Sequence, residues 1–334
     1  MQIMKNSTLF FISVSVLTLF LFVLDLCSGS MWIGLSSLFE GAQSGSVEYN
    51  ILWNLRLPKA IVAVLAGAAL SVSGLMMQTL FRNPLAGPYI LGVSSGASLG
   101  VAFVTMCGTL LASQFSIVNF QFSIALPLAA CVCSTAVLLL VLAVSRRVQS
   151  NVSLLIVGMM FGSMAGALVS LMQNFANPDA LKLFIVWTLG SLESVGWTDM
   201  PLLAGIVMLG LVLTLCLLKP LNGLLLGEDY ARGLGIDIHR TRLGIVLATG
   251  LLAGGVTAFC GPIAFVGVAV PHIARGLLHT SNHRLTIPAS ALVGADLLLV
   301  CDILASLFTY PLPVSTVSAL FGAPIIIWII LKKN

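Results

Sequence analysis

Several sets of residues in this 334-residue chain have types and spacings that could do chemistry. Gly92-Val93-Ser94-Ser95-Gly96 fits the G-x-S-x-G pattern of a serine nucleophile, with His272 as a conceivable base. That pattern needs a strand, a sharp turn and a helix to lift the hydroxyl toward substrate, and no strand pattern is present, so the stretch reads as a helix start lined with small residues. His279 and His283 stand i,i+4, which on one helix face could bind a metal, but Ser281 and Asn282 between them favour a turn. Both are expected as solvated loop residues, and no metal site is expected. Asp296 and Asp302 interrupt an apolar run in which a central ionised carboxylate costs about 2.5 to 3.5 kcal/mol. Asp302 is expected near the outer end of that run, in water. Asp296 is deeper: proton or cation coupling is one reading, and hydrogen bonding to small polar groups of neighbouring helices is the expected one. Coupled carriers display a connected chain of ionisable groups.

The seven cysteines are odd in number, form no C-x-x-C pair and lie mostly in apolar runs, so they are expected as buried free thiols. Cys27 follows an apolar N-terminus, but Asp25 and Leu26 are wrong for cleavage at small residues, and an uncleaved first span is expected. Gly158, Gly162 and Gly166 stack on one helix face and predict close helix packing, with a pathway-lining face as the other reading.

The elements that position these residues are membrane helices. The chain is 59% hydrophobic and 8% charged, with a mean hydropathy of +1.10, whereas an ordinary soluble domain is about 25% charged. Its apolar runs last about 20 residues, the length of a helical span. The fold class is therefore an all-α polytopic transmembrane bundle, with residues 1–334 forming one transmembrane domain. Ten spans are expected, at about 7–26, 58–80, 89–110, 122–144, 152–174, 200–218, 241–260, 263–278, 285–306 and 313–331. The seventh and eighth are separated only by Cys260, Gly261 and Pro262, so they are either separate spans or one broken helix.

Assigning sides tests the count. With the N-terminus in the cytoplasm, Lys5, Arg82, Arg146, Arg147, Lys219, Arg232, Arg240, Arg242, Arg275, Arg284, Lys332 and Lys333 fall on the cytoplasmic face. Only Arg56, Lys59 and Lys182 fall outside. That bias follows the positive-inside rule and predicts both termini in the cytoplasm. The longest charged passage, residues 226–242, then lies in cytoplasmic water between two spans and overlaps a cytoplasmic coupling segment at 220–240. Glu228 and Asp229 open a short helix there, where acids oppose the positive end of its dipole, and Gly233 or Gly235 can close it. Such a helix gives a soluble partner something to grip. Arg56 and Lys59, beside Pro58 at the mouth of a span on a face nearly cleared of basic residues, are either interfacial anchors or a docking point for an acidic partner.

Longer motifs carry a resemblance. Arg56-Leu57-Pro58-Lys59, Gly67-Ala68-Ala69-Leu70, Gly74, Gln78, Phe81-Arg82-Asn83-Pro84-Leu85-Ala86 and Leu91-Gly92-Val93-Ser94-Ser95-Gly96 resemble the FecCD permeases of iron(III)-siderophore, haem and cobalamin ABC importers. The likeness continues through Leu226-Gly227-Glu228, Ala231-Arg232-Gly233-Leu234-Gly235, residues 261–267, Pro271-His272-Ile273-Ala274-Arg275 and Leu320-Phe321-Gly322-Ala323-Pro324. It covers nearly the whole chain.

The resemblance implies a type II importer permease, ten helices per subunit, in the plasma (inner) membrane. Its implied partners are two copies of an ATP-binding subunit, a second permease (the same chain or a related one), a periplasmic or lipid-anchored solute-binding protein, and membrane lipid, with no nucleic acid. It implies no catalytic residue and no cofactor on this chain, ATP and Mg belonging to the ATPase; no phosphate-binding G-x-x-x-x-G-K-[ST] occurs here. It assigns Glu228, Asp229, Ala231, Arg232, Gly233, Leu234 and Gly235 to the helix that couples to the ATPase. Arg56 and Lys59 correspond to residues that dock the binding protein, while a third basic position at the outer end of the ninth span is Ser306 here. Met160, Ser163, Met164, Ala167 and Ser170 become candidates for lining the pathway. The first cargo expected is a ferric siderophore, then haem or cobalamin; an ion-coupled secondary transporter using Asp296 is the alternative class.

Overall fold

A computed structural model of the chain describes residues 2–29, 31–34, 47–107, 122–145, 147, 150–308, 310 and 312–332. Arg146, Lys333 and the expected end of the third span at 108–110 lie outside the described residues. Among the described residues are thirteen helices: α1 Gln2–Cys27, α2 Val47–Phe81, α3 Val93–Cys107, α4 Phe122–Ser145, α5 Asn151–Phe175, α6 Pro178–Thr188, α7 Met200–Cys216, α8 Leu218–Leu224, α9 Glu228–Gly233, α10 Ile238–Cys260, α11 Val266–Leu278, α12 His283–Ser306 and α13 Val314–Lys332. Each of the ten expected spans is a helix, α9 is the expected short helix, and α6 and α8 are additions. No strand occurs among the described residues.

Local chemistry sets where these helices stop and bend. Proline has no N–H and its ring crowds the carbonyl four residues earlier. Pro220 does this at the α7–α8 junction, where the axis turns by 58°, so the expected sixth span ends there. Pro58 does it in α2, and the preceding turn, Leu52–Arg56, widens to a π-helix. Side-chain caps start four helices: the oxygens of Ser150, Asn177, Asp237 and Asn282 accept N–H groups of α5, α6, α10 and α12.

The bundle is organised around α2, which is buried along most of its length. Its small residues let neighbouring backbones come in close. A Cβ on Gly67 would collide with the Gly294 carbonyl of α12, and one on Gly74 with the Gly267 carbonyl of α11. Backbone approach of this kind replaces the hydrophobic effect, which does not drive helices together in lipid. The expected close packing of α5 holds for Gly158 and Gly162, which sit against residues 90–95, whereas Gly166 faces open space.

The seventh and eighth spans are separate helices joined by a non-helical run. Gly261 (φ 73°) ends α10, residues 262–264 are not helical, and Phe265 (φ 65°) caps α11. With 13 residues, α11 is about 20 Å long, short of the roughly 30 Å hydrocarbon core. Unpaired backbone at that depth is costly unless protein groups satisfy it. Here the Cys260 carbonyl accepts from the Ser191 N–H (2.8 Å), the Ile263 N–H donates to the Tyr89 hydroxyl (3.3 Å), and the Ala264 carbonyl accepts from the Ser318 hydroxyl (3.1 Å).

Candidate functional site

Polar chemistry gathers at the two opposite ends of the bundle. One end joins the C-termini of α1 and α12 to the N-terminal part of α2 and the loop at 189–199. Arg56, the last residue of the π turn, donates to the carbonyls of Leu26 (3.0 Å), Cys27 (3.0 Å) and Met31 (2.6 Å). Lys59 Nζ lies 3.0 Å from Glu193 Oε1 and 3.2 Å from Asp302 Oδ1. Its side chain is 13% exposed, that of Asp302 1% and that of Glu193 60%. Asp25 abuts Asp302, and these groups line a cavity of about 220 Å³. Trp53 packs against Tyr49 and Trp197, whose Nε1–H donates to the Trp53 carbonyl (2.8 Å), an aromatic cluster typical of a membrane interface.

Two expectations change here. Asp302 is buried and paired with Lys59 instead of lying in water, because a carboxylate so placed needs a cation. Arg56 and Lys59 are engaged within the chain: the guanidinium serves backbone carbonyls and the ammonium two carboxylates. Nothing in the sequence marks Glu193 or Asp25 as a neighbour of Lys59; Asp25 stands out there only as a residue wrong for cleavage before Cys27. Asp296, deeper in α12, lies beside Thr18 of α1, whose hydroxyl donates to the Val14 carbonyl (3.0 Å), and Asp296 Oδ1 is buried with no hydrogen-bond partner among the described residues.

The opposite end carries α9. Glu228 and Asp229 begin the helix, and Gly235 (φ 78°), one of the two candidate glycines, takes the left-handed conformation just beyond it. Its residues divide sharply. Ala231 is fully buried and Glu228 turns inward, whereas Asp229, Arg232, Gly233, Leu234 and Gly235 are exposed. Glu228 accepts from Arg242 Nη2 through both oxygens (2.9 and 3.1 Å) and from Asn151 Nδ2 (2.6 Å). The Arg240 N–H, donated to the Asp237 carboxyl, holds that group below its usual carboxylate range. Around the helix, Leu225, Leu226, Tyr230 and Leu234 stand 37%, 62%, 57% and 57% exposed.

Distant motifs also meet at this end. His272 Nε2 lies 2.7 Å from the Pro84 carbonyl, and Arg275 donates to Gln78 Oε1 (3.0 Å). The histidine expectation splits. His279 is exposed, but His283 is buried between the Asn222 amide oxygen (2.9 Å) and the Thr79 hydroxyl (2.9 Å), joining α12 to α8 and α2. Among the described residues no cluster could hold a metal. The seven cysteines are free thiols: Cys27, Cys260 and Cys301 are buried as expected, Cys107, Cys131 and Cys133 are half-buried, and Cys216 is exposed. Gly92 (φ 75°) opens α3 after a single 3₁₀ turn, so the G-x-S-x-G stretch is a helix start. On α5, Met160, Ser163, Met164, Ala167 and Ser170 form one exposed stripe opposite buried Leu154, Gly158, Ala165 and Val169.

Residues 17–332 match the FecCD transport family. The chain belongs to that family. It is 35% identical over 335 residues to the vitamin B12 import system permease protein BtuC of Shigella boydii serotype 18, covering 100% of this chain and 98% of the relative. The protein of that name from Escherichia coli K12 / DH10B gives the same identity and coverage. A solved structure described as an inward-facing conformation of a metal-chelate type ABC transporter superposes with a TM-score of 0.85 at 28% identity, covering 96% of this chain and 98% of that one. This FecCD member is thus a multi-pass inner-membrane permease subunit of an ABC importer with the type II permease fold. It is a transport component, not an enzyme.

Proposed function

We propose that this permease imports a metal chelate from an extracytoplasmic binding protein, driven by two ATPase subunits seated on α9. The α9 end faces the cytoplasm and so do both termini; the Lys59 end faces outward. The observation that carries the ATPase contact is the apolar patch of Leu225, Leu226, Tyr230 and Leu234 around Arg232 at a charged, water-facing end. A helix end in water gains nothing by exposing four apolar side chains, and such patches mark protein interfaces. Closure of the ATPases on ATP and Mg pushes α9, and the spans joined to it tilt. This chain supplies no group to the hydrolysis.

Binding-protein docking is assigned to the Lys59 end. Its acids compete with Glu193 for Lys59 and with backbone carbonyls for Arg56, and Ser306 lines the same cavity. Attraction at this exposed rim steers association and falls with salt. The α5 stripe of Met160, Ser163, Met164, Ala167 and Ser170 is assigned to the pathway formed with a second permease, the same chain or a related one. As cargo, cobalamin stands level with a ferric siderophore: the relatives named above are vitamin B12 permeases, and the residues of the stripe are too mild in chemistry to choose. Haem is the third candidate.

The test is mild detergent extraction from the native membrane, identification of what copurifies at fixed stoichiometry, and assay of the captured binding protein against cobalamin, ferric siderophores and haem. An ATPase and a second permease are expected. A chain that emerges alone and transports in liposomes without ATP overturns the reading.

A further inference from the structure

The buried carboxylate of Glu228 is not part of the exposed grip of α9, and its partners lead elsewhere. Asn151, the first residue of α5, uses both amide protons: Nδ2 donates to the Leu80 carbonyl in the last turn of α2 (2.8 Å) and to Glu228 Oε1 (2.6 Å). An amide nitrogen has two donors, so none remains. Glu228 is held in turn by Arg242, whose side chain is 9% exposed and which stands in the first turns of α10. One carboxylate and one amide therefore fasten four helix ends: the C-terminus of α2 and the N-termini of α5, α9 and α10.

We propose that Asn151 is a positioning residue through which α9 sets the cytoplasmic end of α5. The inference rests on the reading of α9 as the ATPase contact and goes beyond it. A force applied to the exposed face of α9 passes inward through Glu228, since Glu228 begins that helix and faces away from the partner. Charge-assisted hydrogen bonds are short and directional, so displacement of Glu228 carries the Asn151 amide with it. The Leu80 carbonyl gives that motion a fixed reference on α2, the most buried helix. The exposed stripe of α5 then shifts relative to α2 without any direct contact between α5 and the ATPase. Sequence alone does not single out Asn151, since Ser150 before it already caps α5.

The test uses the full complex with its ATPase and binding protein in proteoliposomes, reading cargo imported per ATP hydrolysed. Asn151→Ala is expected to lower that ratio at least about tenfold while ATP hydrolysis persists, the scale of one hydrogen bond to a charged group. Asn151→Asp places a second carboxylate against Glu228 and is expected to do the same. The double variant Asn151→Asp/Glu228→Gln reverses donor and acceptor across the α5–α9 contact, the new amide donating to the new carboxylate, but leaves the Leu80 carbonyl without its donor, so it is expected to recover the ratio in part. Spin labels on α5 and α9 should move together on ATP binding in the native complex and independently in Asn151→Ala. An unchanged ratio in an assembled Asn151→Ala complex overturns the inference. Should that variant not assemble, equal ratios for Asn151→Asp and the double variant overturn it. A failure of the α9 reading is distinct: Arg232 and Leu234 variants would then leave coupling intact as well.

Discussion

Removing the Lys59 ammonium should damage the fold far more than removing its exposed partner Glu193. At an effective dielectric of about 20, unit charges 3.2 Å apart attract by roughly 5 kcal/mol, the setting appropriate to Lys59 and Asp302 with side chains 13% and 1% exposed. Glu193 lies at 3.0 Å but is 60% exposed, so water screening reduces its share to about 1 kcal/mol or less. Lys59→Ala leaves Asp302 buried without its cation, and breaking such a pair costs about 3–5 kcal/mol. Glu193→Gln is expected within about 1 kcal/mol of the native protein. Lys59→Met/Asp302→Asn removes both charges and should recover most of the loss. The assay is thermal unfolding in detergent followed with a thiol-reactive fluorogenic dye, which reports exposure of buried Cys27, Cys260 and Cys301. If Lys59→Ala unfolds no earlier than Glu193→Gln, or the double variant recovers nothing, Asp302 does not depend on Lys59 and the reasoning is wrong.

Glu193→Gln should also strengthen binding-protein docking, because it frees Lys59 of its exposed competitor; the affinity, measured at low and high salt, should rise most at low salt. Charge reversal at Arg232, or Leu234→Asp, should uncouple ATP hydrolysis from uptake; native cargo-to-ATP ratios in both would remove α9 from the coupling path. Gly74→Ala should destabilise the bundle by about 1–3 kcal/mol or more through collision with the Gly267 backbone, read as a lowered unfolding temperature.

The length of the apolar runs and composition placed a helix at all ten expected spans, because a membrane helix must be long, apolar and internally hydrogen bonded, conditions visible residue by residue. The distribution of basic residues also grouped the helix ends correctly with one another: Lys59 meets Asp302, and Gln78 meets Arg275, across separations of 243 and 197 residues. Short-range signals worked for α9, whose acids, arginine and glycine all lie within eight residues. They worked less well where one residue has two possible settings. His283 follows a turn, as the sequence suggests, yet it is buried because Asn222 of α8 and Thr79 of α2 close over it. Pro220 marks a break that a hydropathy average passes over.

By itself, then, the sequence determined the class, the spans, the exposed charged helix and the family resemblance, because each rests on local composition or on contiguous motifs. Only the tertiary structure decided which charges are free and which are spent within the chain. The engagement of Arg56 with three carbonyls, the pairing of Lys59 with Asp302, and the junction of Asn151 with Glu228 and Arg242 depend on helices brought together from distant parts of the chain. Those pairings are fixed by the rotation of each helix about its axis. Close approach at Gly67 and Gly74 sets that rotation, through backbone contacts that no residue type announces beforehand.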